Sequence, residues 1–232
     1  MIKSVFFISL FLILYAYFGY PLSLFIISLF KNKKVVIEEQ YPFVTVIIAA
    51  YNEESSIAEK IENTLSIVYP RDRFEIIIVS DGSTDNTNEI VAGYLKKGVE
   101  LLVIPERRGK EKAQKEAIRK AKGEILVFTD VATFLDPSGV ERIVSNFADP
   151  GIGCVSNEDR LIGKDGKPSG EGFYVRYEMG LRRLESRVNS LVGLSGSFFA
   201  ERKTACQDFA EDLASDFRVL LNSVKMDLRG VS

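Results

Sequence analysis

From Ile2 to Phe30 the chain is apolar at almost every position, with Lys3 its lone charge. A run of that length exceeds the roughly 20 residues that a helix needs to cross a bilayer. It reads as one retained transmembrane helix, kinked or tilted near Gly19-Tyr20-Pro21. Two rivals stay open: a signal peptide, whose apolar core usually runs about 7–15 residues to a small-residue cleavage site, and a re-entrant pair of short segments broken at Pro21. Lys31, Lys33 and Lys34 follow the run at once, against Lys3 alone before it. The positive-inside rule therefore places everything after Phe30 in the cytoplasm, with the chain a single-pass protein of the cell membrane.

Residues 31–42 form a polar linker, and beyond them strand and helix patterns alternate. Phe43 to Ala50 is an apolar run that empties into Tyr51-Asn52-Glu53-Glu54, after which Ile57, Ile61, Thr64, Leu65 and Val68 recur at helical spacing. Phe74 to Ser80 predicts a second strand, rich in β-branched residues and ending abruptly in Asp81-Gly82-Ser83-Thr84-Asp85. Asp85 to Lys97 predicts its helix, capped by Thr84 or Asp85. Val99 to Ile104 is a third strand closed by Pro105, and Lys110 to Ala121 a helix with Ala113, Ala117, Ile118 and Ala121 on one face and Gly123 as its stop. Glu124 to Thr129 is a fourth strand. The order predicts an α/β fold, a mostly parallel central sheet with right-handed crossovers and helices on both faces.

Beyond Asp136-Pro137 the rhythm changes. A helix over Pro137 to Phe147 leads to the segment Gly151 to Ser156, and a Gly-rich, charged section runs through Gly172. Tyr174 to Leu191 predicts an amphipathic helix, followed by the small-residue turn Gly193 to Ser197 and a strand from Phe198 to Ala200. The last helix is expected to begin near Phe209 to Asp212 and to run to about Met226.

Charge and composition narrow the chemistry. Net charge is −2 with basic residues scattered among acidic ones, which argues against nucleic acid as a partner. The chain has no histidine, so histidine-ligated zinc, a Ser-His-Asp triad and a histidine base are excluded, leaving carboxylates, Lys or Tyr for proton transfer. Cys154 and Cys206 form no CxxC pattern and read as small buried residues in a reducing compartment.

Three acidic loops stand at strand ends: Asn52-Glu53-Glu54, Asp81-Gly82-Ser83, and Asp130 after Leu126 to Thr129. In a parallel sheet such loops converge on the crevice at the carboxyl ends, where ligands bind. Carboxylates there can hold a divalent cation or accept from a base or a ribose. Arg107, Arg108 and Lys110 stand at a helix start that suits a phosphate, or form a solvated basic helix end. No GxGxxG follows the first strand and no GxxxxGK[ST] occurs, which removes the dinucleotide and P-loop readings. Asp81, Ser83 and Asp85 open like an EF-hand, but Asn86 and Ala92 stand where that loop needs Gly and Glu.

Taken in order, Val44 to Glu54, Ile78 to Asp85, Arg108-Gly109-Lys110 with Ala113, and Ala121 to Glu124 resemble the motifs of the family 2 glycosyltransferases. The likeness runs from about Val44 to Gly230. It implies the GT-A fold over residues 43–232, with a nucleotide-binding half at 43–136 and an acceptor half at 137–232 behind the anchor at 1–30. It also implies transfer of a hexose-like sugar from a nucleotide-diphosphate donor to an acceptor hydroxyl, usually with inversion, on a lipid-linked or polysaccharide acceptor at the membrane face. By carry-over, Ala50, Tyr51, Glu53 and Asp81 hold the nucleoside, Lys110 lies near it or the diphosphate, and Asp130 matches the first aspartate of a metal motif for Mg or Mn. Asp216, in Ser215-Asp216-Phe217, is the expected general base, with Glu211 and Asp212 as nearby rivals.

Two departures stand out. Ala132 replaces the second aspartate of the metal motif, which leaves any cation leaning on diphosphate oxygens and water. There is no Trp, hence no Gln-x-x-Arg-Trp motif, and the chain stops just after Leu228-Arg229-Gly230, where membrane-bound relatives usually continue; the expectation is a short or truncated member. Two alternatives stay open: a catalytically silent nucleotide-sugar-binding or scaffold protein of the same fold, and a nucleotidyltransferase, whose usual Gly-rich basic loop is missing.

Overall fold

The computed structural model describes residues 2–157, 172–206 and 214–232. Their described parts form two compact units: Val35–Asn157 with Gly193–Gly230, and Met1–Lys34 with Glu158–Val192 and Val231–Ser232.

In chain order the helices are α1 (Ile2–Leu14), α2 (Tyr20–Phe30), α3 (Ile57–Leu65), α4 (Thr87–Ala92), α5 (Lys110–Lys120), α6 (Gly139–Ser145), α7 (Phe173–Val188) and α8 (Ser215–Lys225). The strands are β1 (Val44–Ala50), β2 (Phe74–Asp81), β3 (Val99–Ile104), β4 (Ile125–Asp130), β5 (Ile152–Ser156), β6 (Phe198–Arg202) and β7 (Arg229–Val231). They make one mixed sheet in the order β3-β2-β1-β4-β6-β5-β7. The pairs among β3, β2, β1 and β4 are parallel, and β6 runs antiparallel to both β4 and β5.

Val46, Ile47 and Ile48 of β1 and Ile77, Ile78 and Val79 of β2 are fully buried. Strands covered on both faces read as continuous apolar runs, because helices close each side of a parallel sheet. The Ala113, Ala117, Ile118 and Ala121 face of α5 is buried as its spacing requires, against β1 and β2. The helix ends at Lys120 with extended Ala121 as its cap, so Gly123 is not its stop; its role is packing, since a Cβ there would meet the Thr45 amide nitrogen at 2.5 Å and only glycine lets the chain enter β4 beside β1.

Several elements depart from the periodicity. The helix after β2 stops at Ala92 rather than Lys97, because Gly93 is its cap and Leu95–Lys97 is a separate 3-10 turn ended by Gly98 at φ 87°. Val68 is exposed, since α3 ends at Leu65 and the chain then buries Ile67 and Tyr69 instead. β6 continues through Arg202, and α7 begins at Phe173 and ends at Val188. The predicted start of the last helix, near Phe209 to Asp212, lies outside the described residues; α8 begins at Ser215 after extended Ala214.

In the other unit, Ile2–Phe30 is one continuous helix, mean hydropathy 2.0, long and apolar enough to cross a membrane. A π-turn, Tyr15–Gly19, interrupts it just before the predicted kink. A Cβ at Gly19 would meet the Tyr15 ring, so any larger residue there makes that side chain move. Pro21 lacks the N–H that would reach back one α-turn to the Tyr17 carbonyl. The Tyr177 hydroxyl of α7 donates to that oxygen instead, at 2.9 Å. Beside it, Tyr20 donates to Glu185 at 2.9 Å, and a cavity of about 390 Å³ is lined by Tyr17, Phe18, Pro21, Phe173, Tyr174 and Tyr177.

Candidate active site

β1, β2 and β4 are neighbours in the sheet, and their register sets Ala50 level with Ser80 and Ala49 level with Asp130. The three acidic loops therefore leave one carboxyl edge side by side. Buried Ala50 delivers the chain to Tyr51, which is exposed. Asn52 adopts a left-handed φ of 53°, a conformation asparagine tolerates better than most residues. It presents Oδ1 to the Thr84 N–H at 2.8 Å while its own N–H donates to Ser83 Oγ. The Glu53 N–H donates to Thr87 Oγ1 at 2.8 Å. Glu54 accepts from the Asn86 backbone and side-chain amides, and the Glu54 N–H donates to Asp85 Oδ2.

Asp85 thus clasps the two loops as well as accepting from the N–H and hydroxyl of Thr87 at the start of α4. Burial pushes its carboxyl up, but the bonds from Thr87 and the Glu54 backbone outweigh that and hold it below the usual range. The paired loops leave the Tyr51 ring and the Glu53 side chain as the groups of the first loop available to a ligand.

Asp81 is buried, and each carboxylate oxygen accepts one backbone N–H, from Arg108 and from Gly109, both at 2.8 Å. A carboxylate has about four lone-pair sites, so this leaves capacity for a further donor. Gly82, at φ 69°, lies so close under the Arg107 backbone that a Cβ would collide with its nitrogen. The loop after β3 is thereby pressed onto the β2 end, and the Arg107 guanidinium lies 4.0 Å above the centre of the Tyr51 ring. That cation–π stack was not legible in the sequence, where Arg107 read only as part of a basic helix start.

The same loop ends at Gly109 with φ 98°, turns into α5, and brings Lys110 Nζ to Asp130 Oδ1 at 2.5 Å. Both side chains are about 40% exposed, at 39% and 41%. The Asp130 N–H donates to the Ser197 carbonyl at 3.1 Å, tying the end of β4 to the small-residue turn before β6. Gly196 of that turn faces Asp216 at the first turn of α8: a Cβ on Gly196 would stand 3.5 Å from Asp216 Oδ2. Asp216 Oδ1 accepts from the Phe217 N–H at 2.9 Å. The structure so links Ala50, Tyr51, Glu53, Asp81, Lys110 and Asp130 through adjoining loops, and sets Asp216 against the turn that holds the Asp130 backbone. Glu211 and Asp212, the rival bases, lie outside the described residues.

Sequence periodicity passed over Lys60. It is fully buried in α3, where its ammonium donates to Thr129 Oγ1 at 3.0 Å and to the Thr133 carbonyl. The signal was present: Lys60 falls between Ile57, Ile61 and Thr64 on the apolar stripe of α3. Among the described residues no group of three or more Asp, Glu, Cys or His side chains forms a metal cluster.

Comparison with known proteins agrees with this geometry. Residues 45–209 match the model of the glycosyl transferase family 2. The poly-beta-1,6-N-acetyl-D-glucosamine synthase of Staphylococcus aureus strain COL is 27% identical over 209 residues, covering 84% of this chain and 50% of that protein. The Staphylococcus epidermidis synthase is 29% identical over 199 residues, covering 79% of this chain and 47% of its own. This chain thus spans about half the length of these curated relatives. Among solved structures, the mannosyltransferase PcManGT from Pyrobaculum calidifontis, in complex with GDP-Man and Mn2+, superposes with a TM-score of 0.79 at 28% identity, over 94% of this chain and 63% of that one. S. aureus TarS 1-349 with UDP-GlcNAc shares the fold, with a TM-score of 0.59 at 20% identity over 82% of this chain and 56% of its own. The mixed sheet, the loops on its carboxyl edge and the span of the match converge: the chain has the GT-A architecture and belongs to glycosyl transferase family 2.

Proposed function

We propose that the chain transfers a sugar from a nucleotide diphosphate to an acceptor hydroxyl at the cytoplasmic face of a membrane, in the making of a polysaccharide or a lipid-linked glycan. The observation that carries this reading is the convergence of the Tyr51–Glu53, Asp81 and Asp130 loops on one sheet edge, inside the family match. In this reading Ala50 and Tyr51 border the nucleoside, with Glu53 and the spare lone pairs of Asp81 accepting from it. Lys110 lies beside the diphosphate, where its charge favours the leaving group. Asp216 takes the proton of the acceptor hydroxyl as that oxygen attacks the anomeric carbon from the face opposite the diphosphate. One C–O bond forms, the bond from the anomeric carbon to the diphosphate breaks, and the nucleoside diphosphate departs with inversion.

The donor set suits a hard cation sparingly. Asp130 offers one carboxylate, with one oxygen shared with Lys110, and Ala132 offers none. Mg tolerates such a set because it keeps several waters and binds through one or two carboxylates plus substrate phosphates. When bound, such a cation supplies Lewis-acid assistance to the departing diphosphate. The presence of Mn2+ in PcManGT supports a divalent cation, and the GDP-Man of that structure together with the N-acetylglucosamine polymer named for the synthase relatives makes GDP-mannose and UDP-N-acetylglucosamine the first donors to try. The apolar helix Ile2–Phe30 and the lysines after it support a single-pass anchor with the α/β unit in the cytoplasm.

Measuring turnover of GDP-mannose and UDP-N-acetylglucosamine with Mg or Mn tests this reading. Wild type is expected to turn over one donor, with Asp216→Asn at least about 100-fold slower, the scale of a lost catalytic proton transfer, and Asp130→Asn slowed by about 100-fold as well, the scale of lost electrostatic stabilisation of the leaving group. Equal rates in all three would sink the site assignment. Ala132 favours a second reading, a silent binding protein; nucleotide binding by calorimetry that ignores divalent metal, with no turnover on any acceptor, would support that instead.

A further inference from the structure

We propose that Lys60 is a positioning residue for the transferase site: from inside α3 it tethers both flanks of the turn that carries Asp130 and so fixes that carboxylate toward the donor. The inference rests on the transferase reading for its kinetic consequence, and on geometry alone for the tether.

A lysine is almost never fully buried without a partner, and this one has 0% of its surface exposed. Its ammonium spends its bonds on a single turn, reaching Thr129 Oγ1 on one side of Asp130 and the Thr133 carbonyl on the other. Burial pulls the group down to about 7, against the attraction of Asp130, which raises it. Retaining a strained cation there for packing alone makes little sense, since a Met or Leu would fill the same volume without the desolvation penalty.

Asn63, one turn further along α3, extends the tether. Its Nδ2 donates to the Leu135 carbonyl and its Oδ1 accepts the Leu135 N–H, both at 2.9 Å. Positions three apart lie on one helix face, so Lys60 and Asn63 together grip residues 129–135 from the same side. From the other side the turn is held by the bond from the Asp130 N–H to Ser197 and closed by that from the Thr133 N–H to the Asp130 carbonyl. α3 itself starts where the nucleotide loop ends, with the Ile57 N–H on the Glu53 carbonyl. One rigid element therefore joins the loop expected to bind the nucleoside to the turn expected to serve the diphosphate. With Ala132 in place of a second carboxylate, the aim of Asp130 has no backup from its own turn.

The test compares wild type with Lys60→Met, which keeps the length and loses the donor, and with Thr129→Val, which removes one acceptor and keeps the shape. Amide hydrogen exchange is read over peptides covering 129–135, and donor turnover is read beside it. The expected result is faster exchange at 129–135 in both variants, with the 51–54 and 81–87 loops unchanged. The kinetic expectation is a kcat lowered about tenfold or more in Lys60→Met at a donor KM within about threefold of wild type, the split that marks lost transition-state alignment rather than lost binding. Unchanged exchange at 129–135 in a folded Lys60→Met, or in Thr129→Val if the first variant does not fold, overturns the tether. Faster exchange with wild-type kcat, or with kcat and donor affinity falling together, overturns the positioning role. A wild type that turns over no donor brings down the transferase reading, and with it the kinetic role, while the exchange result still decides the tether.

Discussion

Glu75 stands near the start of β2 with only 9% of its surface exposed, and its one carboxylate ties β1 and the segment before β4 to β2. It accepts from Thr45 Oγ1 at 2.7 Å, from the Lys122 N–H at 3.0 Å and from Lys122 Nζ at 2.9 Å, while Thr45 Oγ1 accepts the Gly123 N–H. Burial alone would raise its pKa, but the bonds from Lys122 and Thr45 prevail and hold it below the ordinary glutamate range. A carboxyl with a depressed folded pKa contributes stability that is present above its unfolded value, near 4.3, and is lost as pH falls through the folded value. Glu75→Gln is therefore expected to lower stability at pH 7 by roughly 1–3 kcal/mol, the range for disturbing a buried charge-assisted bond. The gap to wild type should begin to narrow in denaturant titrations as pH falls below the unfolded value near 4.3, and should close only below the depressed folded value, where the Glu75 carboxyl is protonated in both states. A gap that persists unchanged at low pH would mean that shape rather than charge makes the network. None of this was legible in the sequence, where Glu75 is one more polar residue at the mouth of a strand. Gly82 and Asp81 were legible, because an apolar run that stops at an acidic Gly-containing loop has few structural meanings in an α/β chain.

At the scale of elements, what periodicity reveals is that a helix has a face to cover, and what it conceals is the partner. The four parallel strands and the buried stripe of α5 followed from runs and spacings alone. That the polar-faced α7 packs on α2 did not follow, since the contact depends on a backbone defect. Pro21 deletes an N–H, the π-turn shifts the ladder, and the Tyr177 hydroxyl takes the carbonyl of Tyr17. In an apolar setting an unpaired carbonyl is costly. Tyr177→Phe should thus lower the melting temperature, with a loss of about 1 kcal/mol, the usual net worth of one such bond. In a Pro21→Ala background the restored N–H can close on Tyr17, and the same Tyr177→Phe change should then cost about half as much or less. The double-mutant cycle reads this coupling directly. Additive effects would show that the hydroxyl and the proline act on different groups.

For the whole molecule the decisive property is direction, because a transferase that draws soluble nucleotide sugars needs its α/β unit on the side where they are made. The candidate site was legible in outline because any parallel sheet gathers its loops on one edge. Its closures, Asn52 on Thr84 and Arg107 on Tyr51, were not, since each joins residues far apart in sequence. Orientation is the reverse case, written in sequence and silent in geometry: Lys31, Lys33 and Lys34 against Lys3. The two native cysteines make it measurable. Both thiols are free and buried, and burial pushes Cys154 up to about 12 and Cys206 well above its ordinary value. Since the thiolate is the reactive form, neither should take a maleimide in the folded protein. A cysteine introduced singly at Lys3 or at Asn32 is then the only label site. With a membrane-impermeant maleimide, Lys3→Cys is expected to label in intact cells and Asn32→Cys only after lysis. The opposite pattern would put the α/β unit outside, away from the donors proposed for it. Protection of both sites until lysis, or labelling of both in intact cells, would put the two ends of the helix on one face and so remove the single span.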